Sequence, residues 1–287
     1  MIQPARLLEP QEDLADQIRA VLDQDPVANC FLYSRLAPLL ENPWDPDQSL
    51  SNLLGGDVWL YEEDGKLESL CYVGANLVPT AASDAAIESF AMRAKRSGKH
   101  SSSLLGPKET VLALWERLEE SWGPARAVRE NQPLLMIDHP ANVTGDPLVR
   151  KVELGELTPF FTASVAMFIE ELGVTPIGAD GGALYQLKVA ELILAGFAFA
   201  RFDGREVIFK CEIGALSPDA CQIQGVWTKP TWRGQGIGTH GLAAAVDLAL
   251  GFAPKVCLYV NDFNTAARRS YDKIGFREVG AFASVLF

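Results

Sequence analysis

The 287-residue chain has no Cys-x-x-Cys pair, and its five cysteines (30, 71, 211, 221 and 257) are an odd number. A disulfide framework or a thiolate metal site therefore has no spacing to rest on. Several of these cysteines stand in apolar, strand-like runs such as KCEIG and KVCLYV, where a buried reduced thiol is expected. Histidine is scarce as well: His100, His139 and His240 lie far apart in sequence, so we expect no metal. No apolar run is long enough to span a bilayer, and the opening MIQPARLLEPQEDL carries acids where a signal peptide needs an apolar core. A cytoplasmic protein that does not act at a membrane is the expectation.

Basic charge is also in deficit, with 25 Lys and Arg against 37 Asp and Glu and a net charge of −12. Nucleic acid is an unsuitable partner for such a chain, because non-specific binding needs a basic footprint. The deficit is uneven. Residues 1–150 hold 13 Lys and Arg against 23 Asp and Glu, whereas residues 151–287 hold 12 against 14. With this length, that asymmetry suggests two domains. The polar stretch DHPANVTGDP (138–147) is the expected boundary, dividing 1–140 from 148–287. An apolar share of 48% and a charged share of 22% fit globular domains.

The second half is the more legible. Apolar periodicity predicts a strand at 148–154, a helix at 155–173, a second helix near 183–190, and strands at 191–202, 205–217 and 220–230. A helix at 241–252, a strand at 255–262, a short helix at 264–276 and a closing strand at 277–287 follow. The first half gives helical patterns at 11–23 and 27–40, strands near 57–62 and 67–75, and a helix at 84–97. A short strand around 102–105, a helix at 108–122 and a strand at 134–137 complete it. This order echoes that of the second half.

Between a strand and a helix stands KPTWRGQGIGTHG (229–241), which satisfies two glycine patterns at once. Gly236, Gly238 and Gly241 fit the dinucleotide fingerprint G-x-G-x-x-G, and Asp262 lies 21 residues after Gly241, near where a ribose-binding acid is expected. Topology speaks against that reading. A doubly wound sheet needs further βα units after the fingerprint, yet only 46 residues follow Gly241, and three hairpin-compatible strands precede the turn.

The alternative pattern is Arg-x-x-Gly-x-Gly, here Arg233, Gly234, Gln235, Gly236, Ile237 and Gly238. One helix and one strand later comes a second block, Asn264, Ala267, Ser270, Tyr271, Gly275 and Phe276. Together, in this order and at this spacing, the two blocks resemble the GNAT superfamily of N-acetyltransferases over residues 148–287. The pairing with an unmatched first half further resembles an actinobacterial two-domain group. The resemblance implies an α/β fold: a mixed, mostly antiparallel sheet flanked by helices, in two similar modules, the first degenerate. It also implies acetyl-CoA as co-substrate and a small-molecule or peptide amine as acceptor, with the chain a monomer or homodimer.

Physical reasons stand beside the resemblance. Gly234, Gly236 and Gly238 let the backbone approach a pyrophosphate, and the amides from Arg233 to Thr239 face it from the positive end of a helix. Gly225, inside a strand, marks an expected bulge. In the resembling family such a bulge opens a gap for the pantetheine arm, here against the backbone of Val226, Trp227 and Thr228. Asn264 suits a helix N-cap, and the resemblance gives it the pantetheine as well. Tyr271 is the expected acid for the departing thiolate, or else a core ring beside Phe276.

Alternation puts Val207, Phe209, Cys211 and Ile213 on one strand face and Ile208, Lys210 and Glu212 on the other. Glu212 is the candidate base, or else one half of a surface salt bridge with Lys210. Glu170 and Glu171, at a helix end where the family binds its acceptor, are candidates for drawing in a cationic amine. No G-x-S-x-G elbow suggests a serine nucleophile, so a direct ternary complex is expected. A non-catalytic acyl-CoA sensor working through the acidic first half is the alternative. That half has SDAAIES where the turn would stand, which predicts no CoA there.

Overall fold

The computed structural model describes residues 14–41 and 54–287. The opening segment read above for a leader, and residues 11–13 of the first expected helix, lie outside the described residues. The order is α1 (Leu14–Leu22), α2 (Cys30–Glu41), β1 (Asp57–Glu63), β2 (Lys66–Val73), β3 (Asn76–Pro79), α3 (Asp84–Ser97), β4 (Ser103–Pro107), α4 (Lys108–Trp122) and β5 (Ala127–Ile137). Then come β6 (Arg150–Lys151), α5 (Leu157–Leu172), α6 (Ala183–Leu194), β7 (Ala198–Asp203), β8 (Glu206–Leu216), β9 (Cys221–Thr228), α7 (Ile237–Ala249), β10 (Val256–Tyr259), α8 (Thr265–Ile274) and β11 (Arg277–Leu286). No described helix is long and apolar enough to cross a membrane.

The chain forms two compact units. The first takes Met1–Leu135 together with Tyr259–Asn264 and Glu278–Phe287, and the second takes Met136–Leu258 and Thr265–Arg277. The closing strand thus contributes to the first unit, where Phe282 to Leu286 pair antiparallel with Pro107 to Ser103 of β4. Strand order in the first unit is β1-β2-β3-β4-β11-β5. Its strands send successive side chains to opposite faces, and because both faces are covered, β1 and β2 carry continuous buried runs. Trp59, Tyr61 and Cys71 turn to α3 and α4, while Val58, Leu60, Leu70 and Tyr72 turn to α1 and α2.

The second unit has the order β10-β9-β8-β7-β6, antiparallel except for β9 with β10. On one face Phe160 and Met167 of α5 and Val189 and Ile193 of α6 pack on Ala198, Ala200, Val207 and Trp227. On the other lies α7, and Gly241 permits its approach: a Cβ there would stand 2.8 Å from the buried Phe209 ring. Both units therefore show the mixed, mostly antiparallel sheet flanked by helices that was expected.

Four local expectations are corrected. The strand predicted at 191–202 starts at Ala198, because Glu191 to Leu194 continue α6. Ile193 repeats the buried position of Val189, and Gly196 at φ +71° stops the helix. The strand predicted at 148–154 shrinks to Arg150–Lys151, since Glu153 and Glu156 form a capping box that starts the next helical turn. The short β3 went unforeseen, and β5 begins earlier, at Ala127. In β8, Arg201 pairs with Phe209 but Phe202 pairs with Val207, which leaves Ile208 as a bulge. Past it the alternation reverses, so Val207 joins the α5 side instead of sharing the face of Phe209.

Candidate functional site

The glycine turn follows β9 directly. Pro230–Trp232 makes one 3₁₀ turn, Arg233 is extended, and α7 begins at Ile237. Gly236 is its N-cap at φ +83°, and no side chain caps the helix. A helix start leaves its first N–H groups without intrahelical partners, and here they stand behind a residue with no Cβ. Gly234, Gln235 and Gly236 are exposed, Ile237 is buried, and Gly238 and Thr239 are half-buried. The Thr239 hydroxyl donates to Ser270 Oγ at 2.9 Å, tying α7 to α8.

Arg233, the first residue of the pattern, is held from two sides. Its Nε donates to the Thr228 carbonyl at 2.9 Å, and its Nη2 lies 2.7 Å from Glu170. Glu170 also accepts from Trp227 Nε1 at 3.1 Å. The Arg233 hydrogen bond, helped by that of Trp227, holds the Glu170 carboxyl below its usual range. Two residues assigned separate duties from the sequence thus form one contact, joining the end of α5 to the turn. Glu171 is exposed, and its charge adds last to the upward pKa shifts that burial chiefly gives Tyr185 and Tyr271.

The expected bulge is present. Glu212 pairs with Gln224 and Lys210 with Trp227, so Gly225 and Val226 together oppose Cys211. Gly225 takes φ +60°, a conformation that favours glycine. The parallel ladder between β9 and β10 consists of Cys221 with Val256 and Gln222 with Cys257. Beyond Gln222, β9 stays paired with β8 alone, and the two parallel strands part.

Beside the bulge lies a polar cluster, and it is not the surface salt bridge that was one of the two expectations for Lys210 and Glu212. Lys210 is fully buried and Glu212 is 6% exposed. Lys210 Nζ lies 2.8 Å from Glu212 Oε2 and 3.1 Å from Ser164 Oγ, above the Phe160 ring. Gln224 Nε2 donates to Glu212 Oε1 at 3.2 Å. A Cβ at Gly225 would lie 3.2 Å from Lys210 Nζ and 3.3 Å from the Glu212 carboxyl carbon. The pair is therefore an interior one, reached through the position that lacks a side chain. Ser164, the small polar residue within the apolar helix LTPFFTASVAMF, was the available signal and was not used.

Tyr271 on α8 is buried, with its ring 5.9 Å from that of Phe276. Burial first, then the Cys211 thiol and Glu171, push its phenol well above the ordinary range, so it keeps its proton at neutral pH. The phenol has no hydrogen-bond partner among the described residues. Ala267 is half-buried on the same helix. Asn264 is exposed just before α8, its N–H bonded to the Asn261 carbonyl, and it groups with the first unit. No group of three or more His, Cys, Asp or Glu is set to hold a metal among the described residues.

Residues 167–276 match the model of the acetyltransferase (GNAT) family, and residues 56–159 match a domain of unknown function, DUF4081. No curated protein matches the chain. Among solved structures, a GNAT-family acetyltransferase from Colwellia psychrerythraea is similar at 13% identity and TM-score 0.57, over 99% of this chain and 100% of that one. A Drosophila protein gives 14% identity and TM-score 0.64, over 99% of each chain. A GCN5-related N-acetyltransferase from Sphaerobacter thermophilus gives 16% identity and TM-score 0.51, over 90% of this chain and 92% of that one. At such identities the likeness is one of fold.

Proposed function

We propose that the GNAT-family domain at residues 167–276 makes this chain an N-acetyltransferase, moving acetyl from acetyl-CoA to a primary amine in a direct ternary complex. One observation carries the reading. An uncapped helix N-terminus behind Gly234 and Gly236 directly follows a strand that parts from its neighbour beside a glycine bulge. The first feature suits a pyrophosphate, and the second suits an extended arm seeking backbone partners.

Acetyl-CoA supplies a thioester whose carbonyl carbon can accept the amine nitrogen. Backbone amides from Arg233 to Thr239 would hold the pyrophosphate, and the edge of Val226, Trp227 and Thr228 the pantetheine, steadied by Ala267. Glu212 would take the proton that the attacking amine must lose. Each of its oxygens has one donor, and a carboxylate oxygen can accept a second, so a water can still reach it. Tyr271 would give its proton to sulfur as the C–S bond breaks. Glu170, which also holds Arg233, and Glu171 would draw in the cationic acceptor, a small molecule or a peptide.

A second reading is a non-catalytic acyl-CoA sensor, and the Lys210–Glu212 contact favours it, because the candidate base is already paired with a cation. Both readings require CoA. Calorimetric titration should find one CoA per chain, and binding should vanish in a folded Gly236→Asp variant, which puts a negative side chain against the turn. Unchanged affinity in that variant, or two equivalent sites per chain, would remove the turn from CoA binding.

A further inference from the structure

We propose that the first unit carries its own binding site for a small primary ammonium compound with a short apolar body. It sits at the C-terminal ends of β3 and β4. Their parallel ladder is Asn76 with Ser103 and Leu77 with Leu104, two pairs only, as short as the ladder of β9 with β10. Thr80 lies three residues beyond that ladder, as Gly225 lies three beyond the other. At this point the first unit contains a cavity of about 210 Å³ between the α1–α2 connection, the ends of β3 and β4, Leu134 of β5 and Gly280 to Phe282 of β11.

Size and lining define the ligand. A cavity of roughly 150 Å³ already admits benzene, whereas pockets for drug-sized ligands span about 300–1,000 Å³. The space therefore suits a small molecule and is too small for a whole CoA. Val21, Pro107, Leu134 and Phe282 give the lining an apolar part. Gln24, Asp25 and Asn29 add polar groups, with no Lys, Arg or His among the lining residues.

Asn29 is 5% exposed, and its amide NH₂ donates to the Leu22 carbonyl at 3.0 Å. That bond fixes the amide's orientation and leaves Oδ1 without a hydrogen-bond partner among the described residues. An amide oxygen held in this way is free to accept from a donor on a ligand. Asp25 uses Oδ1 to accept from Ala28 N–H at 3.0 Å and has Oδ2 to spare. An acceptor oxygen beside a carboxylate selects an ammonium over a neutral or anionic head, and the apolar part takes the carbon body. Thr80 adds nothing to this choice, since its hydroxyl is engaged with the Leu70 backbone.

The test is ¹⁵N NMR of the full chain titrated with isobutylammonium, with isobutanol and isobutyrate as matched probes. Saturable shifts at Ala28, Asn29, Ala81 and Gly280, at roughly millimolar affinity for so small a probe, are expected for the ammonium. Asp25→Asn keeps the acceptor for Ala28 N–H and removes the charge. It should weaken the ammonium about fivefold, the scale of a partly exposed ion pair, and leave isobutanol unchanged. Ala81→Leu, at an exposed lining position, should abolish binding by filling the space. Equal binding of isobutyrate, no loss in either variant, or shifts confined to the second unit would overturn the proposal. The last result would leave the acetyltransferase reading intact.

Discussion

The Lys210 ammonium and the Glu212 carboxylate meet at 2.8 Å inside the second unit, the lysine fully buried and the glutamate nearly so. Two charges taken out of water stabilise little as a pair, but losing one partner leaves the other uncompensated. Lys210→Met alone should therefore cost about 3–5 kcal/mol in chemical unfolding. Lys210→Met combined with Glu212→Gln should recover most of that loss. Equal stability of the single and double variants would mean that the two side chains are not coupled.

A milder pH signature is expected from Glu170. Its folded pKa is depressed by Arg233, so its contribution to stability is present above the ordinary carboxylate pKa and is lost as pH falls through the lowered folded value. Its side chain is 46% exposed, and solvent screening keeps the effect small. Unfolding curves of wild type and Glu170→Gln should differ at neutral pH and converge in acid. A difference that persists below the folded pKa would assign it to packing.

All five cysteines are buried, and burial raises the thiol pKa of Cys71 and Cys211. Buried thiols that resist ionisation react poorly. The native protein should give no colour with Ellman's reagent over the time of an assay, and five thiols per chain after denaturation. Fast reaction of the native chain would show local opening around these strands. The same inertness makes the reagent usable for following CoA release.

Local punctuation made the helices legible. Ser83 accepts from Ala86 N–H and Gly98 ends the helix, so the reading of 84–97 from sequence coincides with α3. Gly123 does the same for α4. Within the candidate site, the glycine turn and the Gly225 bulge were readable because both rest on backbone conformations that glycine favours. Partners distant in sequence were not. Nothing near Ala283 indicates that it pairs with Gly106, which is why the closing strand was assigned to the second half. The Ile208 bulge has no glycine to mark it, and the burial of Lys210 depends on Ser164 and Phe160, some fifty residues away. The link between Glu170 and Arg233 is equally long-range.

The acetyl-transfer reading rests most heavily on Tyr271, a buried phenol that keeps its proton and has no hydrogen-bond partner among the described residues. The direct measurement is thiol release from acetyl-CoA against a panel of amines, with wild type and Tyr271→Phe side by side. The variant keeps the ring against Phe276 and removes only the proton donor. Wild type should acetylate at least one amine, and Tyr271→Phe should lower its turnover by about 10²-fold with CoA affinity nearly unchanged. Wild-type turnover in Tyr271→Phe would take the phenol out of the mechanism, and CoA binding with no amine acetylated would contradict the enzyme reading altogether.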